Sequence, residues 1–117
     1  MTAAKSPITT HVLDTALGQP ARGLLVTLSV ADGSGAWEEL AARVTDEDGR
    51  VTNLLPPATL EARTYSLTFD TGPYFEATGR PVFYPRVEVT FTVAAPSEHH
   101  HIPLLLSPFG YSTYRGS

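Results

Sequence analysis

Apolar and polar side chains alternate with a period of two along most of the chain, which is the pattern of half-buried β-strands. The clearest stretch runs from Leu24 to Val30, where every second residue is aliphatic and the residues between are mixed. The same alternation predicts strands over residues 8–14, 37–45, 50–52, 65–70, 87–93, 102–107 and 111–115. We therefore expect about eight short strands.

Turn-forming residues separate these strands and complete the fold prediction. Residues 32–35 and 46–49 are typical turns, because Gly supplies positive φ and Asp hydrogen-bonds its own backbone. Residues 71–79 contain helix formers and end at a glycine, which predicts one or two turns of helix. The regular strand spacing favours an all-β, two-sheet sandwich with one short helix, and a closed barrel is the alternative. We expect a single domain over residues 8–117, preceded by a flexible segment over residues 1–7.

One predicted strand differs from the others because both of its faces are apolar. Ile102, Leu104 and Leu106 lie on one face, and Pro103 and Leu105 lie on the other. If the first face packs in the core, the second face exposes contiguous apolar area, which usually marks an interface. We therefore expect the protein to form an oligomer.

The composition is that of an ordinary globular protein. The 117 residues are 42% hydrophobic and 17% charged, without the bias that marks disordered chains. The net charge is -4, and the 8 Lys and Arg residues are scattered along the chain. Nucleic-acid binding needs clustered basic side chains, so we expect no nucleic-acid partner.

The chain has no cysteine. Disulfides, thiolate nucleophiles and Cys-bound zinc are therefore excluded, and the composition fits a reducing compartment. The first residues lack the apolar core of a secretory signal, and no apolar run approaches the length of a membrane span. We expect a cytoplasmic protein without a membrane partner.

Histidine is the best candidate for acid–base chemistry, because its reference pKa of about 6.5 lets it exchange protons near neutrality. The chain has four, His11, His99, His100 and His101. By strand alternation, His99 and His101 point to one face and His100 points to the other. Adjacent strand positions diverge and no Cys, Asp or Glu motif completes a metal site, so we expect no metal and no cofactor.

Other catalytic signatures are missing from the sequence. Ser, His and Asp all occur, but no Gly-x-Ser-x-Gly elbow presents an activated hydroxyl. There is also no Gly-rich phosphate loop and no His-Glu-x-x-His pattern. Any chemistry therefore rests on histidine and arginine.

Four segments form a recognisable series. They are Thr10-His11-Val12-Leu13-Asp14, Thr45-Asp46-Glu47-Asp48-Gly49-Arg50, His99-His100-His101-Ile102-Pro103-Leu104-Leu105-Leu106-Ser107-Pro108 and Tyr111-Ser112-Thr113-Tyr114-Arg115-Gly116-Ser117. In this order they resemble the 5-hydroxyisourate hydrolase family, also called transthyretin-related proteins. The first two are weak alone, whereas the third together with the closing Tyr-Arg-Gly-Ser is highly specific. The resemblance covers nearly the whole chain from Ile8 onward.

The resemblance implies a metal-free enzyme with a small-molecule substrate. In this family 5-hydroxyisourate, the unstable product of urate oxidation, is hydrolysed to 2-oxo-4-hydroxy-4-carboxy-5-ureidoimidazoline. The implied catalytic residues are His11, Arg50 and His101, and the implied substrate-binding residues are Tyr114, Arg115, Gly116 and Ser117. The residue between the paired histidines is usually tyrosine in the family but is His100 here. Since His100 faces away from its neighbours, we expect this change to affect packing or an interface more than chemistry.

These residues suggest a mechanism. We expect a neutral imidazole of His11 or His101 to take a proton from water, which attacks a ring carbonyl. Arg50 would bind a substrate oxygen and stabilise the growing negative charge. The other histidine would orient the water or protonate the leaving nitrogen. A salt bridge is the alternative role for Arg115, and Ser117 with its carboxylate could hold substrate through hydrogen bonds.

The family is similar in fold to transthyretin, a hormone carrier whose central channel forms between the subunits of a tetramer. The resemblance therefore implies a homotetramer with sites at subunit interfaces, which gives a reason for the doubly apolar strand. Two alternatives to an enzyme are a non-catalytic, transthyretin-like carrier of small ligands and a β-sandwich interaction module. The His, Arg and tail motifs favour the enzyme over both.

Overall fold

A computed structural model describes residues 6–117, and these residues form nine strands and one helix. The elements are β1 (Ile8–Asp14), β2 (Gln19–Pro20), β3 (Leu25–Ala31), β4 (Trp37–Val44), β5 (Arg50–Val51), β6 (Thr64–Phe69), α1 (Thr71–Ala77), β7 (Val87–Thr92), β8 (His100–Ser107) and β9 (Gly110–Thr113). The short α1 leaves the described residues without a helix long and apolar enough to cross a membrane. Of the predicted flexible segment 1–7, residues 1–5 lie outside the described residues, whereas Ser6 is buried and its hydroxyl accepts a hydrogen bond from the Leu55 N–H.

The strands form two separate sheets, which confirms the predicted sandwich. One sheet has the order β2-β1-β8-β9, with β5 also pairing with β1, and the other has the order β4-β3-β6-β7. The pairing of β1 with β8 is parallel, whereas the other strand pairs are antiparallel. This parallel pair joins the first strand to the eighth, so residues about 90 positions apart become neighbours.

The core lies between the sheets and is built from the aliphatic faces that the alternation predicts. In β3 the side chains of Val26, Leu28 and Val30 are buried. In β8 the side chains at positions 102, 104 and 106 are buried as well. Burial of this apolar surface is the main stabilising contribution, roughly 25 cal/mol per Å². The opposite face of β8 lies outside this core.

The last strand ends at Thr113, two residues earlier than predicted. The N–H of His100 donates to β1 through the Pro7 carbonyl, so odd-numbered residues of β8 direct their N–H groups toward β9. Pro103 is one of these residues and has no N–H to donate. The ladder therefore breaks where Tyr114 would pair, and the chain leaves the sheet at this point.

A buried carboxylate fixes the helical side of the sandwich to β1. Asp14 is fully buried and accepts hydrogen bonds from the Tyr74 hydroxyl at 2.7 Å, the Arg80 guanidinium at 3.2 Å and the Leu17 N–H at 3.1 Å. The Arg80 guanidinium also lies over the Phe75 ring, 5.1 Å from its centroid. One donor comes from the turn after β1, and the other two come from α1 and the loop that follows it. The carboxylate therefore joins the helical segment to β1.

This environment shifts two pKa values in opposite directions. Burial alone would raise the pKa of Asp14, but the hydrogen bonds from Arg80, Tyr74 and Leu17, with the charge of Arg80, hold that pKa below its ordinary value. Burial, together with the hydrogen bond to the Asp14 carboxylate, raises the pKa of Tyr74 to about 12. The carboxylate is thus stabilised in its ionised form, and the phenol stays protonated.

Asp14→Asn should lower the free energy of unfolding at pH 7 by about 3 kcal/mol, because it leaves the Arg80 charge without its partner. An ionised group with a lowered folded-state pKa stabilises the fold above its ordinary pKa, 3.8 here, and this stabilisation is lost as the pH falls below that value. Urea unfolding at pH 7 and at pH 3 measures both effects.

The matched control is Glu47→Gln, since the Glu47 side chain is 89% exposed. This variant should have the wild-type free energy of unfolding at pH 7, and that free energy should fall between pH 7 and pH 3 as it does in the wild type. A stable Asp14→Asn protein that retains the full acid-dependent decline would contradict the assignment of Asp14.

Candidate active site

The outward face of the β1–β8 pair carries the predicted chemistry. The parallel register places Thr9 beside His101 and His11 beside Pro103. On the other side of β1, the antiparallel register places His11 opposite Arg50 of β5. Three segments that are far apart in the sequence therefore meet on one face of the sheet.

The turn before β5 is built to bring Arg50 to this face. The Asp46 carboxylate accepts a hydrogen bond of 2.9 Å from the Arg50 N–H, and the Asp46 N–H donates to the Arg50 carbonyl at 3.0 Å. Gly49 has a positive φ of 74° and packs on β1 so closely that a Cβ would collide with the Val12 carbonyl oxygen. The hydrogen bonds of Asp46 and the close packing of Gly49 thus fix the backbone of Arg50 beside β1.

A polar cavity of about 450 Å³ opens on this face. Its lining comes from β1, the β5 region, the start of β8 and the C-terminal tail, and consists of Thr9, Thr10, Arg50, Thr52, His99, His101, Tyr114, Gly116 and Ser117. The cavity therefore gathers five of the seven predicted site residues, which are Arg50, His101, Tyr114, Gly116 and Ser117. The positive guanidinium, the imidazoles and the hydroxyls suit a polar, planar ligand with carbonyl oxygens.

Two predicted site residues do not line this cavity. His11 is half-buried on β1, two positions along the same face from Thr9. The Arg115 guanidinium forms a salt bridge of 2.9 Å with Glu98. It borders a second cleft of about 260 Å³ at the open edge between β7 and β9, where His100 also lies. The structure thus places Arg115 in the salt bridge considered as its alternative role.

The histidine run divides between the two faces of β8 as the alternation predicts. His100 is buried, and its Nδ1 lies 2.9 Å from the Glu98 carbonyl oxygen. His99 and His101 line the cavity on the outward face, with ring centroids 6.4 Å apart and ring planes 22° apart. The Thr9 hydroxyl lies between the two outward rings, 2.9 Å from Nε2 of His99 and 2.8 Å from Nδ1 of His101.

The C-terminal tail returns to β8 after the interruption at Pro103 and closes one side of the cavity. The Gly116 N–H donates a 2.8 Å hydrogen bond to the His101 carbonyl oxygen, and the two residues form an antiparallel bridge. A Cβ at Gly116 would lie 2.6 Å from Cδ2 of the His101 ring and 3.4 Å from Cγ of Pro103. Only glycine at this position lets the backbone pack on the imidazole.

Sequence reasoning missed Thr9 and Thr52 and gave no role to His99. Strand alternation contained a signal for Thr9, because it shares a face with His11. The contact of Thr9 with the two histidines depends on the parallel register of β1 and β8, which no local pattern encodes. The position of Thr52 follows from the turn that carries Arg50.

Gly116→Ala should displace either the tail or the His101 ring, because the new methyl group would occupy the space of Cδ2. We expect large changes in the ring chemical shifts of His101 and little change in overall stability, since the tail is exposed. Gly110→Ala is the matched control, because its Cβ would meet nothing closer than the Ser107 hydroxyl at 3.7 Å. Unchanged His101 shifts in Gly116→Ala would show that the ring isn't held by the tail.

Comparison with known proteins shows the family to which this chain belongs. A family model described as the HIUase/Transthyretin family matches residues 8–116. A Mus musculus protein named 5-hydroxyisourate hydrolase is 48% identical over 118 residues, which cover 100% of each chain. The structure of Klebsiella pneumoniae 5-hydroxyisourate hydrolase shares 38% identity at a TM-score of 0.83, covering 98% of this chain and 100% of its own. Sea bream transthyretin in complex with thyroxine shares 34% identity at a TM-score of 0.88 over 95% of each chain. The chain belongs to the HIUase/Transthyretin family.

Proposed function

We propose that the protein is a 5-hydroxyisourate hydrolase. The observation that carries this proposal is the polar cavity in which Arg50, His101 and the tail residues Tyr114, Gly116 and Ser117 come together. Relatives named 5-hydroxyisourate hydrolase at 48% and 40% identity over 100% of this chain support it. The proposed product is 2-oxo-4-hydroxy-4-carboxy-5-ureidoimidazoline, and the proposed setting is urate breakdown in the cytoplasm.

The proposed chemistry is water attack on a ring carbonyl. A neutral His101 takes a proton from water through Nε2, because its Nδ1 contacts the Thr9 hydroxyl. The attack turns the carbonyl oxygen into an oxyanion, and the fixed positive charge of Arg50 stabilises it. Collapse of this intermediate breaks the C–N bond, and the nitrogen leaves with a proton. No covalent bond between enzyme and substrate is required.

His11 does not line the cavity of one chain, and we propose that it takes part in the reaction when subunits assemble. It lies on the same outward face as the cavity, opposite Arg50 on the neighbouring strand. Leu13 and Leu105, which are both half-buried, continue this face as an apolar strip, whereas Pro103 is buried. We propose that the strip packs against another copy in a homotetramer, so that the cavity, with His11 at its border, is completed at a subunit interface.

A transthyretin-like carrier of small ligands is the second candidate, favoured by the TM-score of 0.88 to sea bream transthyretin. A carrier would bind its ligand without turnover. The lining of this cavity argues for the enzyme, because it presents two imidazoles and a guanidinium instead of an apolar surface. Generating 5-hydroxyisourate from urate with urate oxidase and following its ultraviolet absorbance separates the candidates: accelerated decay supports the hydrolase, and uncatalysed decay supports the carrier.

His101→Ala, Arg50→Ala and His11→Ala should each lower kcat/KM in this assay by about a hundredfold or more. The first removes the general base, the second removes the positive charge that stabilises the oxyanion, and the third removes an imidazole at the border of the cavity. Arg43→Ala is the matched control, since Arg43 is an exposed residue of β4 that hydrogen-bonds the neighbouring Ala42 carbonyl. Circular dichroism verifies folding. Wild-type rates in all three folded variants would refute the site.

Leu105→Glu should dissociate the proposed tetramer, because it places a charge in the apolar strip beside Leu13. Sedimentation velocity should show a tetramer for the wild type and smaller species for this variant. Leu25→Glu is the control, because Leu25 is 37% exposed on the other sheet. A monomeric wild type with full activity on dilution would contradict assembly at this strip.

A further inference from the structure

The Thr9 hydroxyl contacts both outward histidines. Thr9 is 3% exposed, and its Oγ1 lies 2.9 Å from Nε2 of His99 and 2.8 Å from Nδ1 of His101. Both distances are those of good hydrogen bonds. The sequence motifs gave no role to Thr9 or His99, and the mechanism above uses neither of them as a proton carrier.

A hydroxyl has a single proton, so these two contacts cannot be independent. If Thr9 donates to His99, then Nδ1 of His101 must carry a proton and donate to Oγ1. If Thr9 instead donates to His101, then Nε2 of His99 must carry the proton. If neither facing nitrogen carried a proton, one of the two contacts would join two lone pairs. If both carried a proton, the hydroxyl proton would have no acceptor among these three side chains. One of the two facing nitrogens is therefore protonated at a time.

The two allowed states give His101 opposite chemical properties. In the first state, the proton of His101 is on Nδ1, so Nε2 is a base. In the second state, the proton is on Nε2, so His101 is an acid toward the substrate. Thr9 thus links the tautomer of the catalytic imidazole to the protonation of His99.

We propose that His99, Thr9 and His101 form a proton relay in which His99 stores the proton of the attacking water. This inference rests on the proposed hydrolase function and extends it to His99 and Thr9. When water attacks, its proton moves to Nε2 of His101, the Nδ1 proton of His101 moves to Oγ1 of Thr9, and the Thr9 proton moves to Nε2 of His99. His99 becomes an imidazolium, while His101 stays neutral.

The reverse transfer completes the reaction. As the C–N bond of the intermediate breaks, the leaving nitrogen takes the Nε2 proton of His101. Thr9 returns a proton to Nδ1 of His101 and regains its own from Nε2 of His99. All three residues are restored, and one water molecule has been added to the substrate. His101 therefore acts as base and then as acid without carrying a net charge.

The surroundings of the relay include several charged groups. Arg50, Tyr114 and Ser117 line the cavity with the relay. His11 lies along the same face of β1, and Arg115 forms an ion pair with Glu98. The Arg115 guanidinium is 3.5 Å from the His99 carbonyl oxygen. His99 is exposed at the surface, so solvent reaches its imidazole and can hydrate a positive charge there.

Nitrogen-15 NMR of the histidine rings tests the coupling without any substrate. At a pH where both rings are neutral, the protonated fractions of Nε2 of His99 and Nδ1 of His101 should sum to one in the wild type. As His99 titrates, His101 should shift to its Nε2–H tautomer. Thr9→Val should abolish this linkage and Thr9→Ser should preserve it. Both nitrogens protonated together, or both bare, in the wild type would overturn the relay.

Activity provides the second test. Thr9→Val should lower kcat on the order of tenfold to a hundredfold, with a smaller effect on KM, and the acid limb of its kcat profile should report one ionisation instead of two. Thr9→Ser should restore the two-ionisation profile. Thr27→Val, a half-buried threonine of β3 on the other sheet, controls for the change of side chain.

The outcomes separate the relay from the hydrolase function. An inactive wild type would refute the function, while the ring-nitrogen measurement would still decide the coupling. An active wild type whose kcat and pH profile are unchanged in Thr9→Val would refute the relay alone. If Thr9→Val fails to fold, the relay is tested by the wild-type protein alone, in which the protonated fractions of Nε2 of His99 and Nδ1 of His101 should sum to one.

Discussion

The parallel pairing of β1 with β8 is the constraint on which the rest of the site depends. It places Thr9 beside His101 and His11 beside Pro103, although these residues are about 90 positions apart in the sequence. A slip of one residue would turn His99 and His101 toward the core and bring His100 to the cavity. The buried side chains of both strands oppose such a slip, so the hydrophobic core fixes the register of the outward face that carries the cavity.

Pro103, which has no backbone N–H, and Gly116, which has no side chain, determine the path of the C-terminal tail. Pro103 supplies no N–H toward β9, which releases the tail from the sheet, and Gly116 lets the tail return against the His101 ring. The tail motif therefore acts through its shape, which lets it pack on the His101 ring, as well as through its polar groups. Its arginine lies outside the cavity in an ion pair with Glu98, so Arg50 supplies the guanidinium there.

Much of this protein is predictable from its sequence, for physical reasons that differ between elements. Period-two alternation identified eight of the nine strands that the described residues form, and it separated His99 and His101 from His100, because side chains of a strand must alternate between its faces. The two-residue β2 was not predicted, since it is too short to show a period. The early end of β9 was missed, since it depends on the N–H that Pro103 lacks and on its direction. Thr9 was missed because its contact with the histidines needs the long-range register. Strand alternation places His11 on the outward face but does not show that it lies outside the cavity.

The central claim is that the cavity between β1, β8 and the tail is where a urate-derived ring is bound and opened. The most direct measurement is a crystal structure with an unreactive purine-dione analogue of the substrate. Our account expects the analogue in this cavity, with an oxygen on the Arg50 guanidinium and a ring carbonyl facing Nε2 of His101. An analogue bound in the cleft beside His100, with the cavity unoccupied, would contradict the account.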